Sequence, residues 1–110
     1  MTWIRDAPSL AALADAPGDA TTTLALTGEL DPATAPVLAD AIASLETAGV
    51  DDVVIDLAGV TFLDSSGVRV LVSAREQLRA SGATLTLRAP SPNIRRVLEI
   101  TGLGEVIAID

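Results

Sequence analysis

The chain has 110 residues and a formal charge of −8, and although 49% of its residues are hydrophobic, only Trp3 and Phe62 are aromatic. A chain of this length suits one compact domain that buries roughly two-thirds of the surface its unfolded form exposes. Its acidity and its lack of aromatic stacking platforms argue against a nucleic-acid partner, and the absence of cysteine and histidine excludes disulfides, thiol catalysis, Ser-His nucleophiles and the common zinc sites.

Lysine is also absent, and of the arginines only Arg95 and Arg96 are adjacent, so no basic patch is legible. Only oxygen-ligand metals such as Mg²⁺ or Ca²⁺ stay conceivable, and no cofactor is implied. The N-terminal stretch MTWIRDAPSLAALADA has no basic region ahead of a clean apolar run, and Asp6 and Asp15 interrupt it. No segment approaches the roughly 18 apolar residues of a membrane span. A soluble, cytoplasmic protein without direct membrane insertion is expected.

In chain order, Ser9–Ala16 reads as a short strand or a helical turn, with strand preferred, and Pro17-Gly18-Asp19 is a turn signal. Thr21–Thr27 alternates threonine with Leu24 and Leu26, the period of a half-buried strand, and pairs with the first segment as a hairpin. Gly28-Glu29-Leu30-Asp31 is then a strand-to-helix loop. Pro36 fits only the first turn of a helix, which makes Thr34 a better N-cap than Asp31. Leu38, Ile42 and Leu45 recur at helical spacing until Gly49, with Asp40, Ser44 and Glu46 on the other side.

Val53, Val54, Ile55 and Leu57 predict a central strand, and a second helix runs from Ser65 or Ser66 to Ala80, with Val70, Leu71, Ala74 and Leu78 apolar. Ala83–Arg88 alternates as a strand. Ser91-Pro92 starts a third helix carrying Ile94, Val97 and Leu98 and stopped at Gly102, and Val106–Ile109 closes the chain as a strand. The order β-α-β-α-β-α-β from Thr21 onward predicts a mostly parallel or mixed sheet covered by helices. There is no internal repeat or linker.

Two segments hold the candidate chemistry. Asp64-Ser65-Ser66-Gly67 directly precedes a helix, where Asp and Ser serve simply as caps. The same position gives a serine hydroxyl an accessible place at the positive end of a helix dipole, where a phosphate is tolerated. Phosphorylation there adds about −1.5 to −2 charges beside Asp64 and repels a partner that presents carboxylates. The second segment is Gly28–Asp31, which alone carries no functional inference.

Taken together, LTGELD (Leu26–Asp31) and VVIDLAGVTFLDSSGVRVL (Val53–Leu71) resemble the two signature regions of STAS domains, specifically of anti-sigma factor antagonists, and SPNIRRVLEITGL (Ser91–Leu103) is similar to the family's third helix. The resemblance covers about Thr21–Ile109. It implies an α/β fold: a single STAS domain, with a four- to five-stranded mixed sheet and helices packed mainly on one side, preceded by an N-terminal extension and a poorly defined first strand over residues 1–20.

The resemblance further implies that Ser65 is the phosphoacceptor, that Ser66 is a secondary or structural hydroxyl, that Asp31 lies near the phosphoacceptor and takes part in phosphorylation and partner binding, and that Asp64 and Gly67 are partner-binding or supporting. Arg69 departs from the small residues common at its position in relatives: either a cation there pairs with a phosphate or tunes partner choice, or it is simply an exposed helical arginine, which needs no such role. The implied partners are an anti-sigma factor that is also a serine kinase and a PP2C-type phosphatase, with ATP and Mg²⁺ belonging to the kinase; the chain itself is then not an enzyme. The alternative is a STAS subunit of a membrane lipid transporter or a stressosome-like assembly, with no regulatory phosphoserine. A receiver domain is disfavoured by the missing lysine, a serine hydrolase by the missing G-x-S-x-G, and nucleotide binding by the missing P-loop.

Overall fold

The computed structural model describes residues 10–15 and 21–110, so the readings of the first nine residues and of Pro17-Gly18-Asp19 lie outside the described residues. Strands β1 (Leu10–Asp15), β2 (Thr21–Leu30), β3 (Asp52–Leu63), β4 (Thr84–Arg88) and β5 (Ala108–Ile109) form one sheet in the order β1-β2-β3-β4-β5. The first pairing is antiparallel and the other three are parallel, as a mixed sheet requires. Helices α1 (Ala35–Thr47), α2 (Ser65–Ala80) and α3 (Pro92–Thr101) provide the crossovers that parallel neighbours need.

Register shows why one face of the sheet is the core. Thr22 sits beside Val53, Leu24 beside Ile55, and Ile55 beside Leu87, so the buried positions of three strands line up on one side. The intervening Thr23, Ala25, Val54, Asp56 and Thr86 are only half-buried, and Arg88 is exposed. Onto the buried face come Leu38, Ile42 and Leu45 of α1, Leu71, Ala74 and Leu78 of α2, and Ile94 and Leu98 of α3, all in one aliphatic cluster. The helices cover one side, as expected.

Three elements depart from the sequence reading. β3 is more than twice the predicted length, because it continues past Leu57 through two bulges, the first at Leu57-Ala58 opposite Leu26. Relative to β2 its register slips by one residue between Ala25 and Thr27, and again between Gly28 and Glu29. Each slip absorbs one extra residue. Leu57, Val60 and Leu63 consequently all reach the core although they recur every third residue. Gly59 suits the first bulge because a Cβ there would lie 2.9 Å from the Leu26 carbonyl oxygen.

β2 likewise runs on to Leu30, through Gly28 at φ +116, where a loop was predicted. At the other end of the chain β5 begins at Ala108, not Val106. A 3₁₀ turn over Leu103–Glu105 buries Leu103 and leaves Val106 exposed, so the apolar run enters the sheet late.

Candidate functional site

The two bulges carry β2 and β3 to a common end. Leu30 and Leu63 are register partners, so Asp31 and Asp64 leave adjacent parallel strands side by side at their carboxyl ends, one strand spacing of about 4.8 Å apart at the preceding pair. The Asp64 N–H reaches back to the Leu30 carbonyl at 3.4 Å and ties the two exits together. The second strand exit leads into α2 and the first into the loop before α1. Sequence-distant signature segments thus meet on one edge of the molecule.

Asp64 is the N-cap of α2. Its backbone is extended, at φ −112 and ψ −171, and its Oδ1 accepts from the N–H groups of Ser66 at 2.9 Å and Gly67 at 3.0 Å. These are two of the donors a helix start leaves without intrahelical partners. The Ser65 N–H is not among those bound, and Ser65 Oγ makes no hydrogen bond among the described residues. Ser65 is exposed at the positive end of the helix dipole. Ser66 is half-buried and turns toward α1, lining a shallow depression of about 260 Å³ with Ala35, Arg69, Val70 and Ser73. The adjacent serines therefore differ: only the first has its hydroxyl free at an exposed position.

Because the Asp64 contact is a cap, Asp64→Ala should cost about 1 kcal/mol of stability, and Asp64→Asn, which keeps an acceptor oxygen, less than half of that. Urea unfolding of the two variants checks this; equal losses would mean that charge, and not the capping oxygen, is what α2 uses.

Thr34 is the N-cap of α1 as expected, and Pro36 falls in the first turn as predicted, but the Thr34 side chain makes no cap bond. Thr34 is fully buried and its Oγ1 donates to the Glu29 carbonyl at 2.6 Å, while accepting from the Asp31 N–H at 3.0 Å. Asp31 instead closes the turn, its Oδ1 receiving the N–H groups of Ala33 at 2.9 Å and Thr34 at 3.0 Å. A buried hydroxyl is satisfied by the nearest carbonyl, and the end of β2 supplies one, so helix capping loses the competition.

Gly67 is buried, and its missing side chain is a packing requirement. A Cβ there would collide with Leu63 Cδ1 and lie 2.8 Å from the Leu30 carbonyl oxygen. The first turn of α2 is thus pressed onto the ends of β2 and β3. Arg69 is exposed one turn beyond Ser65. Sequence reasoning did not single out Phe62, which pairs in register with Glu29 and is 45% exposed beside the site. Its being one of two aromatics in the chain was the available signal.

Among the described residues no group of acidic side chains is arranged to hold a metal ion, and no helix is long and apolar enough to cross a membrane. The family model described as Mlab, STAS domain matches residues 13–108. The chain belongs to the STAS family. This STAS domain is 37% identical over 82 residues to the anti-sigma-B factor antagonist of Listeria monocytogenes, covering 74% of the chain and 72% of that relative. Its fold matches the crystal structure of an anti-sigma factor antagonist from Mycobacterium paratuberculosis with a TM-score of 0.82 at 29% identity, over 96% of this chain and 89% of the other. The Bacillus cell fate determinant SpoIIAA in its phosphorylated form matches with a TM-score of 0.68 at 27% identity, over 91% of each chain.

Proposed function

We propose that this STAS domain is an anti-sigma factor antagonist that acts in the cytoplasm by partner switching. Unphosphorylated, it binds an anti-sigma factor that is also an ATP-dependent serine kinase, and the sigma factor is released. Transfer of phosphate to Ser65 ends that complex, and a PP2C-type phosphatase resets it. The domain is the kinase's substrate and performs no catalysis.

The observation that carries this reading is the free, exposed Ser65 hydroxyl on a helix start whose other donors are capped by Asp64. A phosphate there needs no rearrangement of the core, because the hydroxyl holds nothing in place. The surrounding edge already carries Glu29, Asp31 and Asp64, so the added charge of about −1.5 to −2 makes it strongly anionic. Partner carboxylates brought against it would be repelled at a cost of several kcal/mol. Further support comes from the relatives named as anti-sigma factor antagonists, one of them solved in a phosphorylated form. Asp31 contributes charge to the same edge.

The test is affinity capture from native cell lysate with three baits, wild type, Ser65→Glu and Asp31→Asn, followed by mass spectrometry. A small ATP-binding kinase should be retained by the wild type, lost from Ser65→Glu by at least about tenfold, and weakened on Asp31→Asn. Equal retention of transporter or stressosome subunits by all three baits would replace the switch with a scaffold role.

A further inference from the structure

Arg69 lies four residues after Ser65 on α2, a spacing that brings Cβ atoms within about 5–6 Å on a helix surface. Helical side chains lean toward the N-terminus, so Arg69 covers the turn that holds the serines. It lines the depression between Ser66 on its N-terminal side and Ser73 on its C-terminal side. An anion at i with a cation at i+4 is also the favourable order along the helix dipole.

Among the described residues this cation has no counter-charge. Arg75 pairs with Glu76 at 2.6 Å and Arg88 with Asp56 at 3.3 Å, whereas Arg69, like Arg79, Arg95 and Arg96, makes no ion pair among the described residues; of these four it alone lies on the turn next to Ser65. The first turn of α1, which faces it across the depression, carries no acidic residue. The acidic residues of this edge are Glu29, Asp31 and Asp64, and the Oδ1 atoms of both aspartates are committed to backbone N–H groups. In the depression Arg69 stands with the hydroxyl residues Ser66 and Ser73 and with the apolar Ala35 and Val70.

We propose that Arg69 is the built-in ligand for the phosphate on Ser65. Resting on Ser65 as the phosphoacceptor, this assigns phosphorylation a second effect: the guanidinium, whose planar fork matches phosphate oxygens, leaves the depression for the phosphate, and the Ser65 N–H adds a donor at the same place. The modification then both adds an anion to the partner-facing edge and withdraws a cation from it. A lysine or glutamine at position 69 would do this incompletely or not at all.

The experiment installs phosphoserine at position 65 during translation and follows its second ionisation by ³¹P NMR in the full chain, in wild type, Arg69→Gln and Arg69→Lys. Glu29, Asp31 and Asp64 are common to all three and contribute equally. Loss of the cation should raise the phosphate pKa by about 0.3 or more at low salt, Arg69→Lys should hold at least half of the difference, and about 1 M salt should largely erase it. Identical titration curves for wild type and Arg69→Gln would overturn the assignment. Because the phosphate arrives without a kinase, that result would leave Ser65 standing as phosphoacceptor, while failure of any kinase to label residue 65 would strike the phosphoacceptor reading alone.

Discussion

Ser65→Ala is expected to accept no phosphate and to hold the kinase in a complex that ATP no longer dissolves. The wild-type hydroxyl has no hydrogen bond among the described residues and lies on the surface, so its removal should change stability by no more than about 0.5 kcal/mol. Alanine is also a better helix former than serine. With the fold intact, the whole effect falls on the switch. For the wild type, adding ATP should weaken the complex by about a hundredfold, the equivalent of roughly 3 kcal/mol of like-charge repulsion.

With Ser65→Ala the dissociation rate should be the same with and without ATP. Stoichiometric transfer of labelled phosphate to the variant would move the acceptor elsewhere. Ser66 would be the next candidate, but its N–H is held by Asp64 and its side chain faces the depression against α1. Ser66 is also less exposed than Ser65.

Much of the core and part of the site were legible in the sequence. The alternation of Leu24 with Leu26 and of Leu85 with Leu87, and the spacing of Leu38, Ile42 and Leu45, depend on backbone period alone, and each of these residues is buried where the pattern put it. The Asp64 cap is equally local, since an aspartate followed by serines at a helix start satisfies its own backbone. What escaped was long-range. Leu57, Val60 and Leu63 follow neither a strand period nor a helix period, and only pairing with β2 turns the irregularity into two bulges. The missing side-chain cap bond of Thr34 has the same origin: the Glu29 carbonyl that captures the threonine hydroxyl is positioned by the extension of β2. Val106 misled for the opposite reason, because an apolar tetrapeptide reads as a strand even when a 3₁₀ turn delays its entry.

Gly67 joins these two kinds of information, and Gly67→Ala is the substitution with the largest expected effect on stability. Intrinsic preference points the wrong way: within a helix, alanine is favoured over glycine by about 1 kcal/mol. Against that stands the packing. The added Cβ would meet Leu63 Cδ1, and Leu63 is itself buried, so the side chain has little room to turn away. It would also lie 2.8 Å from the Leu30 carbonyl oxygen and 3.0 Å from Leu30 Cγ, and the carbonyl belongs to the paired end of β2. Backbone in a ladder cannot yield as a side-chain tip does. Overpacking of this kind costs typically 1–3 kcal/mol, and contact with fixed backbone places it at the upper end. The net loss should be about 2 kcal/mol, which lowers the melting temperature by roughly 10 °C in a domain of this size. Any relief comes from lifting the first turn of α2 off the strands, and Ser65 rides on that turn, so phosphorylation should slow along with the loss of stability. A Gly67→Ala protein that melts at or above the wild-type temperature would mean that α2 does not pack this closely, and the rigid presentation of Ser65 would fall with it.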